Sequence, residues 1–458
     1  MTDASETFAD HVLGTGFEDL PENAVEAAKI FILDTLGVGA VGTNGPWVEE
    51  WKGGFQAVVP GEGARVWGTG ERLPTPAAAA VNGYLIHNSE YDCVHEAAVL
   101  HPMAVLFSAL MAEVEGRGDN GLVVDGKTLI RAVTLGVDVA CHIGNSVTSG
   151  LKFFRPATAG GFGATTAISV IAGLNKEQIL NAYGLYYAQA GGSMQAHTEG
   201  LPLLGMQVGF CSRNAVVATR MAERGIPGTR GTIEGPFGYL NLMEGSYDRE
   251  ALLDDIGKVW RIAEVAHKPW PSGRATHGLL DVLSDLEQQH GFSAGQVAMV
   301  KAKVPPLTER LIGRPVKEDM NVNYARISGP YTGARLILNG TIGIGDFTEE
   351  ALRDQATLDL GRRIVIENNG NPDQNALTPI TVEVALSTGE VLHAKLETVY
   401  GNPAKPMSRE AHLSKFRTNL KAAQGPIPEE NADKLIEMVD RLEELDDARK
   451  LIDLVVAG

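Results

Sequence analysis

The sequence predicts an α+β protein, with a large all-helical domain formed by both chain ends and a smaller α/β domain between them. Apolar residues recur at helical spacing from about residue 20 to 260, and an alternating, strand-like pattern begins after residue 268. Helical spacing then returns near the C-terminus, which indicates that the tail rejoins the first domain. We therefore expect segments at residues 1–267 and 403–458 to form the helical domain, and residues 268–402 to form the α/β domain.

The predicted helices of the first segment are largely buried. One helix begins just after Pro21, with Val25, Ile32 and Leu36 on one stripe, and 77–81 is apolar on every side. Such residues are typical of a helix inside a large bundle, and 53 glycines against 6 % aromatic residues favour closely packed backbones. A Gly- and Pro-bearing loop is predicted at 228–238. Further helices are predicted at 76–90, 103–115, 129–142, 163–173, 176–189 and 209–224.

The middle segment alternates between strand and helix patterns. Period-2 alternation predicts half-buried strands at 297–304 and 380–386, and shorter runs at 363–366 and 391–396 are similar. Short helices are expected around 331–338 and 348–357. In the tail, the stripe from Leu435 to Leu445 again has helical spacing, with acidic residues on the opposite face.

Charge and composition exclude several classes of function. The 458 residues carry 57 acidic and 39 basic side chains, a formal charge of −18, which argues against a general nucleic-acid binder. A small anionic substrate needs only a local cationic pocket and stays possible. Cys93, Cys141 and Cys211 are too few and too widely spaced for a disulfide framework or a thiolate zinc site, and they suit a reducing compartment.

The N-terminal region carries no targeting pattern that we recognise. The opening MTDASETFAD lacks a basic and then apolar signal sequence. The apolar run 27–41 is interrupted by Lys29 and Asp34 and is too short to span a bilayer. We therefore expect a soluble, cytoplasmic protein without a membrane partner.

The densest group of chemically active residues is HNSEYDCVHEAAVLHP, residues 87–102. Histidines with carboxylates can ligate a metal or transfer protons. The segment contains no H-E-x-x-H pattern, so we expect no metal. The alternative is a solvated junction between two helices. The group comprises His87, Glu90, Asp92, His95, Glu96 and His101.

Two further motifs place cations where an anion could bind. Arg155 precedes a glycine-rich helix start in KFFRPATAGGFG, a position that favours anions over cations. An anion held between the Arg155 guanidinium and backbone N–H groups would explain this position, and a packing loop with a surface arginine is the alternative.

The motif HKPWPSGRATH places Lys268, Arg274 and His277 at the seam between the segments, where clefts commonly form. These groups could stabilise a carboxylate or enolate, or could belong to a solvated linker.

One more motif, ARISGPY, begins a predicted helix at Tyr331, whose phenol could donate a proton or belong to the core.

Taken in order, these motifs resemble those of the MmgE/PrpD family. VNGYLIHNSEYDCVHEAAVLHP is similar to the family's N-G-…-H-…-L-D-F-D-D-T-H-…-H-P passage, and FFRPATAGGFGATTA to its F-H-P-T-…-G-x-F-G-A-A-A passage. HKPWPSGRATH resembles K-x-Y-P-x-C-x-x-T-H, and ARISGPY resembles K-F-S-L-P-Y. GSMQAHTEGLPLLGMQVGF resembles the passage before the family's long central helix. The resemblance covers nearly the whole chain.

The resemblance implies a large helical domain with a smaller α/β lid, usually as a homodimer, acting on small di- or tricarboxylates without a metal or organic cofactor. It implies that the catalytic residues are His101, Lys268 and Tyr331. The substrate-binding residues that we expect beside them are Glu90, Asp92, His95, Arg155, Arg274 and His277.

Several positions depart from the family's pattern. Arg155 replaces the histidine of F-H-P, and Leu204 stands where a lysine is common. Cys93 and Val94 replace an aspartate and a threonine, and Gly273 stands where some members have a histidine or cysteine. Because an arginine stays protonated near pH 7, we expect Arg155 to clamp a carboxylate and His101 to transfer the proton.

Four functions are compatible with the resemblance. The leading one is a lyase that removes or adds water beside a carboxylate, as in 2-methylcitrate dehydratase. An epimerase or isomerase of the iminodisuccinate type comes next, because it needs no acid for a leaving group. Decarboxylation is third. The remaining alternative is a non-catalytic protein that has kept a carboxylate pocket.

Overall fold

A computed structural model of the chain describes residues 2–456. Helices account for 57 % of it and strands for 9 %, which confirms the predicted α+β class dominated by helices. No helix in the described residues combines the length and the apolar character needed to cross a membrane.

The first part of the chain is helical except for a two-stranded ribbon, β1 (Ala64–Arg65) and β2 (Arg72–Leu73). The predicted buried helices are present, with ends shifted by a few residues. The helices here are α1 (Ala4–Gly14), α2 (Glu22–Val41), α3 (Val48–Val58), α4 (Thr75–His87), α5 (Pro102–Gly118), α6 (Gly126–Asn145), α7 (Arg155–Thr158), α8 (Gly160–Ala172), α9 (Lys176–Tyr187), α10 (Gln195–Glu199), α11 (Leu203–Glu223) and α12 (Arg249–Leu253).

The middle of the chain forms a four-stranded sheet in the order β4-β3-β5-β6. Strands β3 and β4 are parallel, and the other two pairs are antiparallel. Helices α13 and α16 pack against the sheet and against each other. The elements are α13 (Arg274–His290), β3 (Val297–Val304), α14 (Pro306–Ile312), α15 (Val322–Arg326), α16 (Gly329–Asn339), α17 (Glu349–Leu352), α18 (Gln355–Gly361), β4 (Ile364–Asn368), β5 (Ile380–Leu386) and β6 (Val391–Leu396).

Two predicted helices are broken in the structure. The expected helix 348–357 is divided into α17 and α18, because Asp354 leaves the helical conformation and its carboxylate caps Thr357 N–H. The C-terminal helices are α19 (Arg409–Ala422), α20 (Glu429–Asp440) and α21 (Arg449–Asp453). Helix α20 ends before the predicted stripe does, and Leu442–Glu444 continue as a single tighter turn.

The buried apolar residues form two separate clusters. One unites the first part of the chain with the tail, so that Leu36, Phe107 and Phe416 share a core. The other lies within residues 270–399 and is centred on the sheet. Helix α2 packs against both α19 and α20. The division into residues 1–267, 268–402 and 403–458 stays a prediction, and the site lies where the two clusters meet.

Close helix packing sets the position of the helix that leads into the site. Helices α4 and α11 cross at Gly83 and Gly209. A Cβ atom at Gly209 would collide with the backbone oxygen of Ala80, and one at Gly83 would lie 2.7 Å from Ser212 Oγ. Only glycine permits helices α4 and α11 to approach so closely. This contact fixes α4 on the bundle, and His87, the last residue of α4, is thereby held in position.

Candidate active site

A loop of residues 88–101 connects α4 to α5 and presents the predicted cluster. The loop is attached to the seam, because Val94 and Ala266 exchange backbone hydrogen bonds. It then folds back on itself through His95 and Leu100. His101 directly precedes α5, so both ends of the loop are anchored on buried helices.

Two residues of this loop have a left-handed backbone. Glu90 has φ of 53° and Val99 has φ of 49°, although neither is glycine or asparagine. Such a conformation costs on the order of 1–3 kcal/mol and persists only where the surroundings impose it. Both residues line a cavity, so the strain coincides with the site.

The cavity lies between the helical bundle and the α/β section and has an empty volume of about 650 Å³, including its open mouth. Its wall is mostly apolar and is supplied by both sections of the chain, including Leu151, Phe154 and Leu204 from the first and Leu311 and Ile327 from the second. The polar residues that line it are His87, Glu90, Glu96, His101, His197 and Arg274.

Asp92 joins two histidines of this wall. Its Oδ2 lies 2.9 Å from His87 Nδ1 and 3.4 Å from His101 Nδ1. The two imidazole rings are edge to face, with centroids 4.9 Å apart. Asp92 itself is buried, and it therefore orients both rings without facing solvent.

The hydrogen bonds define the tautomer of His101. Its Nδ1 also lies 3.0 Å from the backbone oxygen of Cys93, which can only accept. Nδ1 therefore carries the proton, and in the neutral ring Nε2 keeps its lone pair. His101 lines the cavity, so this nitrogen is the available base.

The environments of the two histidines move their pKa values apart. Burial and the nearby Lys268 ammonium lower the pKa of His101 below its usual 6.5. Burial alone would also lower the pKa of His87, but the carboxylates of Asp92 and Glu90 outweigh it and raise the pKa. The shifts favour the neutral base form of His101 and the protonated acid form of His87, a separation typical of acid–base pairs in enzymes.

Lys268 and Glu90 form a buried ion pair behind this pair of rings. Lys268 Nζ lies 2.9 Å from Glu90 Oε2 and 3.7 Å from Asp92 Oδ1. Burial opposes ionisation of Glu90, but the Lys268 charge lowers its pKa to about 2. The predicted catalytic Lys268 is thus close to the histidines, and its ammonium is committed to a carboxylate.

Arg155 has a different role from the predicted carboxylate clamp. Its Nε and Nη2 donate to the two carboxylate oxygens of Glu244, at 3.0 and 3.1 Å, and its Nη1 donates to Ala98 O at 2.9 Å. The side chain is fully buried. The Glu244 carboxylate is thus the anion that pairs with the Arg155 guanidinium. Arg155 therefore supports the loop at Ala98 and does not line the cavity.

The remaining predicted binding residues divide between the wall and its support. Arg274 lines the cavity and donates through Nε to Glu96 at 2.7 Å. His277 is buried behind it, and its Nε2 donates to Ser272 O at 3.1 Å. His95 also points away from the cavity, since its Nε2 lies 3.0 Å from Glu264 and its Nδ1 accepts Ala98 N–H.

Tyr331 does not reach the cavity. It is buried in the sheet-centred core, and its hydroxyl donates to the backbone oxygen of Asp346 at 2.6 Å. The predicted helix is present but begins two residues earlier, at Gly329, and the phenol points into the α/β section. Its place there is that of a core tyrosine with a satisfied hydroxyl.

Two histidines of the wall had no predicted role: His87 belongs to the predicted cluster, and His197 was not among the predicted site residues. His87 Nε2 is buried without a hydrogen-bond partner among the described residues. His197 Nδ1 accepts from Arg314 at 3.2 Å, and burial together with that cation lowers its pKa to about 4. His197 stands in the passage GSMQAHTEGLPLLG, so the family resemblance was the one available signal.

A second buried group lies nearby, between α2, α19 and the seam. Lys415 Nζ contacts Asp34 Oδ1 at 2.7 Å, and His412 Nε2 is 3.8 Å from the same oxygen. The rings of His267 and His412 are 4.8 Å apart. Neither histidine lines the cavity.

Comparison with known proteins identifies the relationship. The model of the MmgE/PrpD N-terminal domain matches residues 6–251, and that of the MmgE/PrpD C-terminal domain matches residues 270–444. The chain belongs to the MmgE/PrpD family. A cis-aconitate decarboxylase of Mus musculus is 24 % identical over 470 residues, covering 99 % of this chain and 94 % of the relative.

Other relatives of this MmgE/PrpD protein have similar names. A cis-aconitate decarboxylase of Homo sapiens is 25 % identical, covering 98 % of this chain and 94 % of the relative. One from Aspergillus terreus is 24 % identical, covering 96 % and 93 %. The likeness therefore extends along both sections that form the cavity.

Among residues 2–456 of this MmgE/PrpD chain, two groups have ligand atoms within 4.8 Å of one another, the spacing of a metal site. They are Asp92 with His87 and His101, and Asp34 with His267 and His412. In the first, both Nδ1 atoms face Asp92 as donors. In the second, the Lys415 ammonium occupies Asp34 Oδ1. Both donor sets favour held protons over a bound cation.

Proposed function

We propose that this protein is a lyase that adds or removes water beside the carboxylate of a small acid, without a metal or organic cofactor. His101 Nε2 takes the proton from the carbon α to the carboxylate, and the C–H electron pair forms the double bond. The leaving hydroxyl takes a proton from His87 and departs as water. In hydration the same steps run in reverse.

The observation that carries the proposal is the pair of adjacent histidine rings that face one buried carboxylate, Asp92, in surroundings that shift their two pKa values in opposite directions. A dehydration needs a base and an acid at neighbouring carbons, and the two rings are adjacent on one wall. Epimerisation is better served by two groups on opposite faces of a single carbon. Lys268 and Glu90 act as positioning residues, because they set the charge around the rings.

Decarboxylation is the second candidate, and the named relatives favour it. In that reaction the bond to the departing carbon dioxide breaks, and a histidine protonates the carbon that keeps the electron pair. The apolar wall formed by Leu151 and Phe154 would also weaken the hydration of a carboxylate and assist its loss. The homodimer and the cytoplasmic location stay predictions.

The test is to incubate the protein with a panel of unsaturated and hydroxy acids in deuterated water and to follow the products by NMR. A new alkene from a hydroxy acid, or a new alcohol with deuterium at the α carbon from an unsaturated acid, supports the proposal, whereas carbon dioxide release supports the second candidate. Deuterium exchange without a new product would indicate epimerisation.

His101→Ala identifies the catalytic residue in the same assay. We expect turnover to fall by about 10²- to 10⁴-fold, the usual contribution of a general base. His412→Gln is the matched control, because it alters a buried histidine outside the cavity and should leave turnover within about twofold. Full turnover by His101→Ala would overturn the mechanism.

A further inference from the structure

The apolar wall of the cavity is at odds with a substrate that carries several charges. Leu151, Phe154 and Met194 from the helical section face Leu311 and Ile327 from the α/β section. Each carboxylate that entered this space would lose water without gaining a polar partner from these side chains. An alkyl or alkenyl body would instead gain by burial.

The charged residues that line the cavity already have partners of opposite charge. Glu90 is bonded to Lys268, and Glu96 to Arg274. Arg274 Nη1 also donates to the backbone oxygens of His267 and Tyr400, so little of its guanidinium remains for a ligand. A second or third substrate carboxylate would meet two carboxylates here and no cation in excess.

Two positions that could have added positive charge do not supply it. Leu204 lines the cavity where the family resemblance leads one to expect a lysine. Arg155 is a cation, but Glu244 binds it with two hydrogen bonds. The chain has thus replaced one charge by a hydrocarbon side chain and neutralised another.

One cation beside the cavity wall has donors without a partner among the described residues. These donors are the Nε and Nη1 atoms of Arg314, both of them buried. Arg314 Nη2 donates to the ring nitrogen and the backbone oxygen of His197, which lines the cavity. Arg314 itself lines an adjoining hollow with Glu309 and Arg310, and this hollow shares His197 and Met194 with the cavity wall.

We propose that the substrate has a single ionised carboxylate and an apolar body, which occupies the hydrocarbon-lined cavity while the carboxylate faces Arg314. This inference rests on the proposed function, since it names the class of acid on which the same site acts. It separates this chain from relatives named for cis-aconitate, which has three carboxylates.

Binding measured by calorimetry decides the inference independently of turnover. The probes are trans-2-hexenoate, with one carboxylate and a short alkyl chain, and cis-aconitate. We expect hexenoate to bind at least about tenfold more tightly, because each buried methylene contributes about fourfold in affinity. Equal affinity, tighter binding of cis-aconitate, or binding of neither acid would overturn the inference.

Arg314→Gln tests the carboxylate end. Affinity for trans-2-hexenoate should fall about tenfold, the loss of one charge-assisted contact. The neutral analogue trans-2-hexenamide is the matched control, and its affinity should be unchanged by the substitution. An unchanged affinity for hexenoate would remove Arg314 from the proposal.

Leu204→Lys tests the apolar end, with Leu204→Met as the control for size. The lysine should reduce the preference for hexenoate over cis-aconitate by about tenfold, and the methionine should keep it.

The failure of this inference can be distinguished from the failure of the proposed function. If hexenoate binds preferentially but is neither hydrated nor labelled with deuterium, the proposed function fails and the inference stands. If cis-aconitate is preferred and converted with His101, the inference fails and the proposed function stands.

Discussion

Two buried groups in this protein contain two histidines, an aspartate and a lysine, and yet their electrostatics differ. In the group at the cavity, Asp92 contacts both histidines and Lys268 is bonded to Glu90. In the group between α2 and α19, Lys415 contacts Asp34 directly. Burial lowers the pKa of His267 to about 3 and also lowers that of His412, so both rings there are neutral.

The difference is one extra carboxylate. Glu90 neutralises Lys268, which leaves the charge of Asp92 to be balanced by a proton on His87. In the second group Lys415 and Asp34 balance each other, and a proton on either histidine would be an uncompensated buried charge. The same residue types therefore form an acid–base pair in one place and a neutral packing group in the other.

The largest effect is expected from disturbing the charge balance of the group between α2 and α19. Asp34→Asn would leave the Lys415 ammonium buried without a carboxylate, at a cost of about 3–5 kcal/mol in the free energy of unfolding. Urea unfolding at pH 7 measures it. The pKa of Asp34 is lowered in the fold, so its contribution is present above its usual 3.8 and declines as pH falls through the lowered value.

The double variant Asp34→Asn/Lys415→Met is the control, because it removes both charges together. It should recover most of the lost stability. A single variant as stable as the parent would mean that the two groups do not differ in the way described.

The next largest effect is expected from removing the charge of Glu90, the extra carboxylate of the group at the cavity. Glu90→Gln should lower the pKa of His87, which is raised by Asp92 and Glu90 against the effect of burial. Because His87 acts as an acid, activity is lost as pH rises through its pKa. The alkaline limb of the pH–rate profile should therefore move to lower pH by about one unit.

Glu96→Gln is the matched variant, since Glu96 also lines the cavity but is bonded to Arg274. It should leave the alkaline limb in place, and NMR titration of the histidine ring protons would report His87 directly. An unmoved limb in Glu90→Gln would refute the role of the extra carboxylate.

The smallest effect is expected at Tyr331, which belongs to neither group. Tyr331→Phe removes a buried hydrogen bond to Asp346 O and should cost about 1 kcal/mol of stability. Turnover should stay within about twofold. A hundredfold loss of turnover at unchanged stability would return Tyr331 to the catalytic residues that the family resemblance implied.

The structural features that depend on the spacing of nearby residues could be predicted from the sequence. Apolar periodicity located α2, α5 and β5, and the density of histidines and carboxylates in residues 87–102 located the cluster around Asp92. For the helices and the strand, the repeat of apolar residues gives the buried face directly, and the cluster around Asp92 lies within a single short stretch of sequence.

Contacts between distant residues could not be predicted in the same way. Arg155 was expected to face a ligand because its partner Glu244 lies 89 residues away and has no distinguishing pattern. The direction of Tyr331 depends on how α16 rests on its own section. The left-handed backbone at Glu90 and Val99 had no signal either, since such residue types rarely adopt it.

The pairing of α2 with α19 has a consequence for how the protein is made. Asp34 is synthesised long before Lys415, and the apolar face of α2 has no cover from α19 and α20 until residues 409–440 have left the ribosome. The sheet of residues 297–396 can assemble while that face is still exposed. The helical core around the acid–base pair is thus completed only after residues 409–440 have been synthesised, so the nascent chain must keep an incomplete bundle from aggregating until then.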